Sequence, residues 1–236
     1  MSFKAVLFDL DGTLLPMDQD EFTECYFKHL AIKAAPLGYE PKGLVKAVWT
    51  GTAAMVKNDG SRLNEQAFWD AFADIYGNRA RQHRPVFDEF YSNEFCNTKA
   101  VCGFNPEAPE TIEMLKHKGV RLVLATNPIF PAVATENRIK WAGLNASDFE
   151  LYTTYENSHY CKPNPEYYME ITEKIGVDPA DCLMVGNDVR EDMAAEGLGM
   201  KVFLLTDCII NKDNADISKW PHGDFAELKR FLETNL

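Results

Sequence analysis

Five short apolar runs punctuate the chain: Lys4–Phe8 (KAVLF), Arg121–Ala125 (RLVLA), Phe149–Thr153 (FELYT), Cys182–Val185 (CLMV) and Lys201–Leu205 (KVFLL). Each is bounded by turn-forming residues, which is how a buried strand reads. Helical spacing appears around them. Thr111–Lys118 places Ile112 and Leu115 on one face and stops at Gly119. Ala132–Ala142 stops at Gly143, and Pro165–Ile175 begins with proline and stops at Gly176. Proline at the start and glycine just past the end is the expected asymmetry of helix termini. Alternation of this kind predicts right-handed crossovers and a doubly wound, mostly parallel α/β sheet with helices on both faces.

Residues 18–96 break the pattern and hold no convincing strand. Asp18 with Glu21 three residues on makes a capping-box-like start. Phe22, Tyr26, Leu30 and Ala34 then follow helical spacing. Leu44, Val48 and Met55 mark a second helix entered at Pro41. Phe68, Phe72, Ile75 and Tyr76 mark a third, and Phe87, Phe90, Tyr91 and Phe95 a fourth. The chain thus divides into a core, 1–17 with 97–236, and an all-helical module, 18–96, inserted after the first strand. Its aromatic stripes read as core, with a ligand box as the alternative. Arg62, Arg79, Arg81 and Arg84 cluster in the same module and read as a solvated face, with a substrate clamp as the alternative.

The totals narrow the function. Among 236 residues, 36 are acidic and 24 basic, for a net charge of −12. Nucleic acid is an unsuitable partner, because phosphate-backbone binding needs clustered Lys and Arg. No apolar run approaches the roughly 20 residues that span a bilayer. The start, MSFKAVLFDLDG, carries charge into its apolar run at Asp9 and has no small-residue cleavage site, so a signal peptide is not expected. The six cysteines include no C-x-x-C pair, and reduced thiols in a cytoplasmic protein are the expectation.

Ligands of a doubly wound sheet sit outside the carboxyl ends of its strands. Here the first strand ends in Asp9-x-Asp11, the second in Thr126-Asn127, and the fourth in GNDVRED with Asp188 and Asp192, while the loop after the third carries Lys162-Pro163. Clustered carboxylates repel one another unless a cation or proton joins them. Aspartate oxygens with no His or Cys nearby suit a hard ion, Mg2+ above all. A carboxylate can attack phosphorus to form an aspartyl-phosphate, and a second carboxyl group can protonate the leaving oxygen and later deprotonate water. A hydroxyl and a lysine suit the transferring phosphoryl oxygens.

FDLDGT, ATN, CKPNPEYY and VGNDVRED, in that order, resemble the motifs of the haloacid dehalogenase-like (HAD) hydrolase superfamily, mostly phosphatases. The insertion point resembles that of the phosphoglycolate phosphatase-like subgroup with a helical cap. The resemblance implies that Asp9 is the nucleophile and a metal ligand. It implies that Asp11 is the general acid/base and gives its backbone carbonyl to the metal. Thr126, with the Asn127 amide beside it, matches the phosphoryl-binding hydroxyl, and Lys162 the lysine that pairs with the phosphoryl group and the carboxylates. Asp188 matches the metal-binding acid, and Asp192 the supporting acid that orients Lys162 or bound water; the metal set is therefore Asp9, Asp11, Asp188 and Asp192. Asn187 departs from the Gly-Asp opening usual in the last motif, and Glu191 competes with Asp192 for its role. His159 and Cys161, just ahead of Lys162, read as loop residues without a chemical role, substrate contact being the alternative. The implied activity is Mg2+-dependent hydrolysis of a small phosphorylated metabolite. A phosphomutase, a dehalogenase (which in the family lacks the second acid) and a silent binding protein on the same fold are the alternatives. Oligomeric state is not legible.

Overall fold

The computed structural model describes residues 3–236. Among these described residues six strands form one sheet: β1 (Ala5–Phe8), β2 (Arg121–Leu124), β3 (Leu151–Tyr152), β4 (Cys182–Gly186), β5 (Lys201–Leu205) and β6 (His222–Gly223). Their order is β3-β2-β1-β4-β5-β6, and every neighbouring pair is parallel. The chain therefore winds outward from β1 in both directions, and the switch in direction falls where β1 lies between β2 and β4. A doubly wound sheet opens its ligand crevice at such a point.

The strands are buried on both faces, so their residues alternate between two cores. Val6, Phe8, Leu124, Val185 and Phe203 join one cluster with Ile112, Ile139 and Leu228. These last three come from helices α5 (Glu107–His117), α6 (Ala132–Trp141) and α8 (Phe225–Asn235). Ala5, Leu7, Val123, Met184 and Leu204 face the other way, against Tyr167, Tyr168 and Ile171 of α7 (Pro165–Ile175). Asn164 caps α7 by accepting from Glu166 N–H, Pro165 opens it, and Gly176 closes it at φ 63°. The connection from β4 to β5 is only a 3-10 segment, Met193–Leu198. The short β6 and the helix α8 have no counterpart among the sequence-predicted elements. A two-residue edge strand, His-Gly, carries too little pattern to be read.

Between β1 and β2 stand α1 (Gln19–Ala34), α2 (Pro41–Val56), α3 (Asn64–Tyr76), α4 (Asn78–Ser92) and a 3-10 segment, Glu94–Val101. Asp18 caps α1, its carboxylate accepting from the Asp20 and Glu21 N–H groups at 2.9 Å. The segments that enter and leave this helical insertion run side by side. Met17 bridges to Cys102, and Gly103 N–H donates to Pro16 carbonyl at 2.7 Å. All six cysteines are free. Among the described residues no helix is long and apolar enough to cross a membrane.

Phe95 joins the insertion to the sheet. Its fully buried ring meets Phe22, Tyr26 and Phe90 of the insertion, and Phe130 and Trp141 of the α/β body. Truncating such a ring loses its transfer free energy and leaves a cavity. Phe95→Ala is expected to cost about 3–5 kcal/mol of stability, measured by urea denaturation; a loss under about 1 kcal/mol would show that this joint is loosely packed.

Candidate active site

The turn after β1 is tightly drawn. Gly12 sits at φ 83°, and a β-carbon there would lie 2.3 Å from Asn187 Nδ2. Gly-Thr after the two aspartates therefore has a steric cause: only glycine lets β1's turn close onto the loop after β4. The Thr13 hydroxyl lies 3.0 Å from Asn187 Oδ1 and 3.3 Å from Asp9 Oδ2, and the Asn187 amide donates to Cys208 carbonyl at 2.6 Å. Asn187, the departure from the usual motif, stitches three strand-end loops together.

Lys162 is 1% exposed and lies behind Asp9. Its ammonium donates to Asp9 Oδ1 at 2.7 Å and to Asp192 Oδ1 at 2.6 Å. Burial disfavours the charge on Lys162, but Asp192 and Asp9 outweigh it and raise the lysine's affinity for the proton well above normal. The other Asp192 oxygen accepts from Asp188 N–H at 2.9 Å, so both of its oxygens are engaged within the protein. At Gly186 a β-carbon would fall 2.1 Å from Asp192 Oδ2, so that glycine admits the carboxylate. The lysine's partner is thus Asp192. Glu191 instead accepts from the Asn127 amide at 3.0 Å.

Asp188 Oδ1 receives the Arg190 and Glu191 N–H groups at 2.7 and 2.9 Å, while its side chain lines a cavity of about 1000 Å³. Asp9, Asp11, Thr126, Asn127 and Asp192 border the same cavity. The Thr126 carbonyl is pinned from behind by the Tyr167 hydroxyl at 2.8 Å and the Thr153 hydroxyl at 2.6 Å. Tyr168 donates to Glu191 carbonyl at 2.7 Å. The tyrosine pair of CKPNPEYY thus steadies both sides of the rim.

Arg138 is the site residue that sequence reasoning missed. It is wholly buried in α6, pairs with Asp11 Oδ2, and places its guanidinium 4.6 Å from the centre of the Phe130 ring. A single arginine inside a helical pattern signals nothing on its own. Asp11 Oδ1, also buried, has no hydrogen-bond partner. Burial pushes the Asp11 carboxyl up to about 6, with Arg138 pulling against it. Burial likewise raises Glu191 and Asp192 to about 7, Lys162 opposing in each case.

The other flagged residues lie elsewhere. His159 Nδ1 is 2.8 Å from Glu170, and Cys161 is buried against Met55, Ala67 and Tyr155. Arg62 and Arg81 pair with Asp70, Arg84 pairs with Glu65, and Arg79 lies over the Tyr39 ring. The aromatic stripes of the insertion pack on one another, as a core should, and several also line the cavity.

Five carboxyl groups, Asp9, Asp11, Asp188, Glu191 and Asp192, face two cations, Lys162 and Arg138. That surplus of negative charge beside an open cavity suits a hard divalent cation. Among the described residues no three acidic, His or Cys side chains stand as a ready-made metal cluster. Mg2+ does not require one, since it keeps several waters and takes one or two carboxylates. Asp9 and Asp188 with the Asp11 carbonyl fit that demand.

A family model described as haloacid dehalogenase-like hydrolase matches residues 3–199. The chain belongs to this family. It is 28% identical to a phosphoglycolate phosphatase of Haemophilus influenzae (strain 86-028NP), over 98% of both chains. It is 26% identical to the pyrophosphatase PpaX of Oceanobacillus iheyensis, over 83% of this chain and 80% of that one. Among solved structures it is similar in fold to a 2-haloacid dehalogenase from Pseudomonas syringae pv. Tomato, with TM-score 0.64, 21% identity and coverage of 98% and 99%. This family member is a phosphatase-type hydrolase; relatives at near-equal identity carry different substrate names, so the family leaves the substrate open.

Removing Lys162 would leave Asp9 and Asp192 buried without their counter-charge. Lys162→Met is expected to lose about 3–5 kcal/mol of stability in urea denaturation. The double variant Lys162→Met/Asp192→Asn is expected to lose less than the two single losses added together, because the groups act as one unit. Strict additivity would show that the pair is not coupled.

Proposed function

We propose that this hydrolase is a cytoplasmic Mg2+-dependent phosphatase that acts on a small phosphorylated metabolite through an aspartyl-phosphate on Asp9. The observation that carries the reading is the contact of Lys162 with both Asp9 and Asp192, beside a second acid, Asp11, that has one buried oxygen free. A nucleophile held by a buried cation and a proton donor two residues on are the two groups that a two-step phosphoryl transfer needs.

Asp9 attacks phosphorus as the bond to the ester oxygen breaks. Asp11 gives its proton to that leaving oxygen, and Arg138, paired with Asp11 Oδ2, leaves Oδ1 as the proton-bearing atom. Burial favours the protonated acid. Asp11, now a carboxylate, then takes a proton from the water that attacks the aspartyl-phosphate. The bond between Asp9 and phosphorus breaks, and inorganic phosphate leaves. Thr126, Asn127 and Lys162 are assigned to the phosphoryl oxygens. Asp192, bound to the buried Lys162 ammonium through one oxygen and to Asp188 N–H through the other, is assigned to position Lys162. Mg2+, held by Asp9, Asp188 and the Asp11 carbonyl, would offset charge on the phosphoryl group. We read residues 18–96 as a cap over the rim.

Phosphate release from p-nitrophenyl phosphate tests the reading: activity is expected with Mg2+, none in excess EDTA, and recovery on adding Mg2+. Asp9→Asn should keep the native circular dichroism spectrum and lose turnover by orders of magnitude; a variant retaining about a tenth of kcat would exclude Asp9 as nucleophile. Asp11→Asn keeps size and loses the proton. In single-turnover measurements it should lose more on an alkyl phosphate, whose leaving group needs that proton, than on p-nitrophenyl phosphate. Equal losses would count against the assignment.

A further inference from the structure

The cavity that begins at the rim continues into the helical insertion, and its walls there are rings. Phe22, Phe68, Trp69, Phe87, Tyr91 and Phe130 line it. At about 1000 Å³ it stands at the upper end of small-molecule sites, roughly 300–1,000 Å³. A two-carbon acid esterified to phosphate would leave most of it to water.

Charge narrows the occupant further. The insertion contributes Asp18 and Asp20 to the lining and no Lys or Arg. Its arginines Arg62, Arg81 and Arg84 border a second cleft that shares Trp69 as a wall, each held by Asp70 or Glu65. Among the described residues, Lys212, exposed on the loop after β5, is the one lysine or arginine of the lining. A carboxylate or second phosphate carried in among these rings would lose its hydration without gaining a partner. The Trp69 indole N–H is buried beside the Tyr155 phenol and presents no donor to the cavity.

Resting on the phosphatase reading of the rim, we infer that the substrate is a phosphate ester whose alcohol part is uncharged and aromatic, and not a phosphorylated carboxylic acid. The rings supply stacking and edge contacts to a flat group. The rim takes the phosphate.

Three alkyl phosphates of similar leaving-group quality test this: 2-phenylethyl phosphate, 2-phosphoglycolate and phosphocholine, compared by inorganic phosphate release and by calorimetric binding to Asp9→Asn. The neutral aromatic ester is expected to exceed both others by at least about tenfold in kcat/KM and in affinity. Preference for phosphoglycolate would overturn the inference through the missing cation, and preference for phosphocholine would overturn the uncharged assignment. Binding to Asp9→Asn with no turnover of any ester by the unmodified enzyme would sink the phosphatase reading and leave the ligand class standing. Trp49, half exposed at the cavity wall, offers a variant that does not endanger the fold. Trp49→Arg should move the ratio of phosphoglycolate to 2-phenylethyl phosphate at least about tenfold toward the acid. An unmoved ratio would show that the leaving group does not enter this cavity.

Discussion

Lys162 and the two aspartates that it bridges are the interaction on which the site depends. An ammonium buried to 1% exposure is tolerable only with opposite charges in direct contact, and two aspartates buried nearly as deeply are tolerable only with that ammonium. The triad spans β1, the loop after β3 and the loop after β4. It therefore ties together the ends of three segments that belong to different crossovers. Each charge is stabilised by a partner far away in sequence, so the arrangement forms only once the sheet has formed. The contact that holds Asp9 in place beside the cavity is also the contact that closes the rim.

Backbone shape makes room for that triad. Two glycines sit where any β-carbon would strike the machinery, Gly12 against Asn187 and Gly186 against Asp192. Behind them Thr13 and Asn187 link the β1 turn to the β4 loop, and Asn187 reaches on to Cys208 after β5. Hydroxyls of Thr153, Tyr167 and Tyr168 fasten the carbonyls of Thr126 and Glu191. Geometry at the cavity is thus set by a layer of uncharged groups beneath the charged one, and the charged groups have little freedom to collapse onto each other.

Much of this was legible in sequence, for a physical reason. A strand buried on both faces must be an unbroken apolar run, and a polar residue that ends such a run must face the crevice. Asp9 and Thr126 stand out by that logic, whereas Asp188, which follows Gly186 and Asn187, is singled out over Asn187 through the family resemblance. The spacing Asp-x3-Asp left Asp192 and Glu191 both open, because a turn after a strand carries no period. The choice is made by Gly186, whose missing β-carbon admits the Asp192 carboxylate. Arg138 was invisible because its meaning comes from one contact at a separation of 127 residues with Asp11. Its neighbours Asn137 and Ile139 form an ordinary helical pattern. The short β6 was missed because pairing with β5, not its own residues, makes it a strand.

The aromatic stripes show why core and ligand site are hard to separate in sequence. Tyr26, Phe72 and Phe87 obey helical spacing because each helix must bury a face. In a four-helix insertion lying against a sheet, those faces converge on one region. Where they meet fully they form core, as around Phe95. Where the catalytic loops keep the helices from closing completely, the same rings become walls. Rings are suited to both tasks, since they fill space with large apolar area and lose little side-chain freedom on ordering. The insertion is also docked on the loop preceding Lys162. Asn64 N–H and Glu65 N–H donate to Ser158 and Tyr155 carbonyls at 2.9 and 2.8 Å, and the Asn64 side chain reaches Tyr160 carbonyl at 3.2 Å. The loop that delivers Lys162 therefore contacts the insertion on one side and the sheet on the other. The segment that places the ammonium beside Asp9 is thus held between the helices and the sheet.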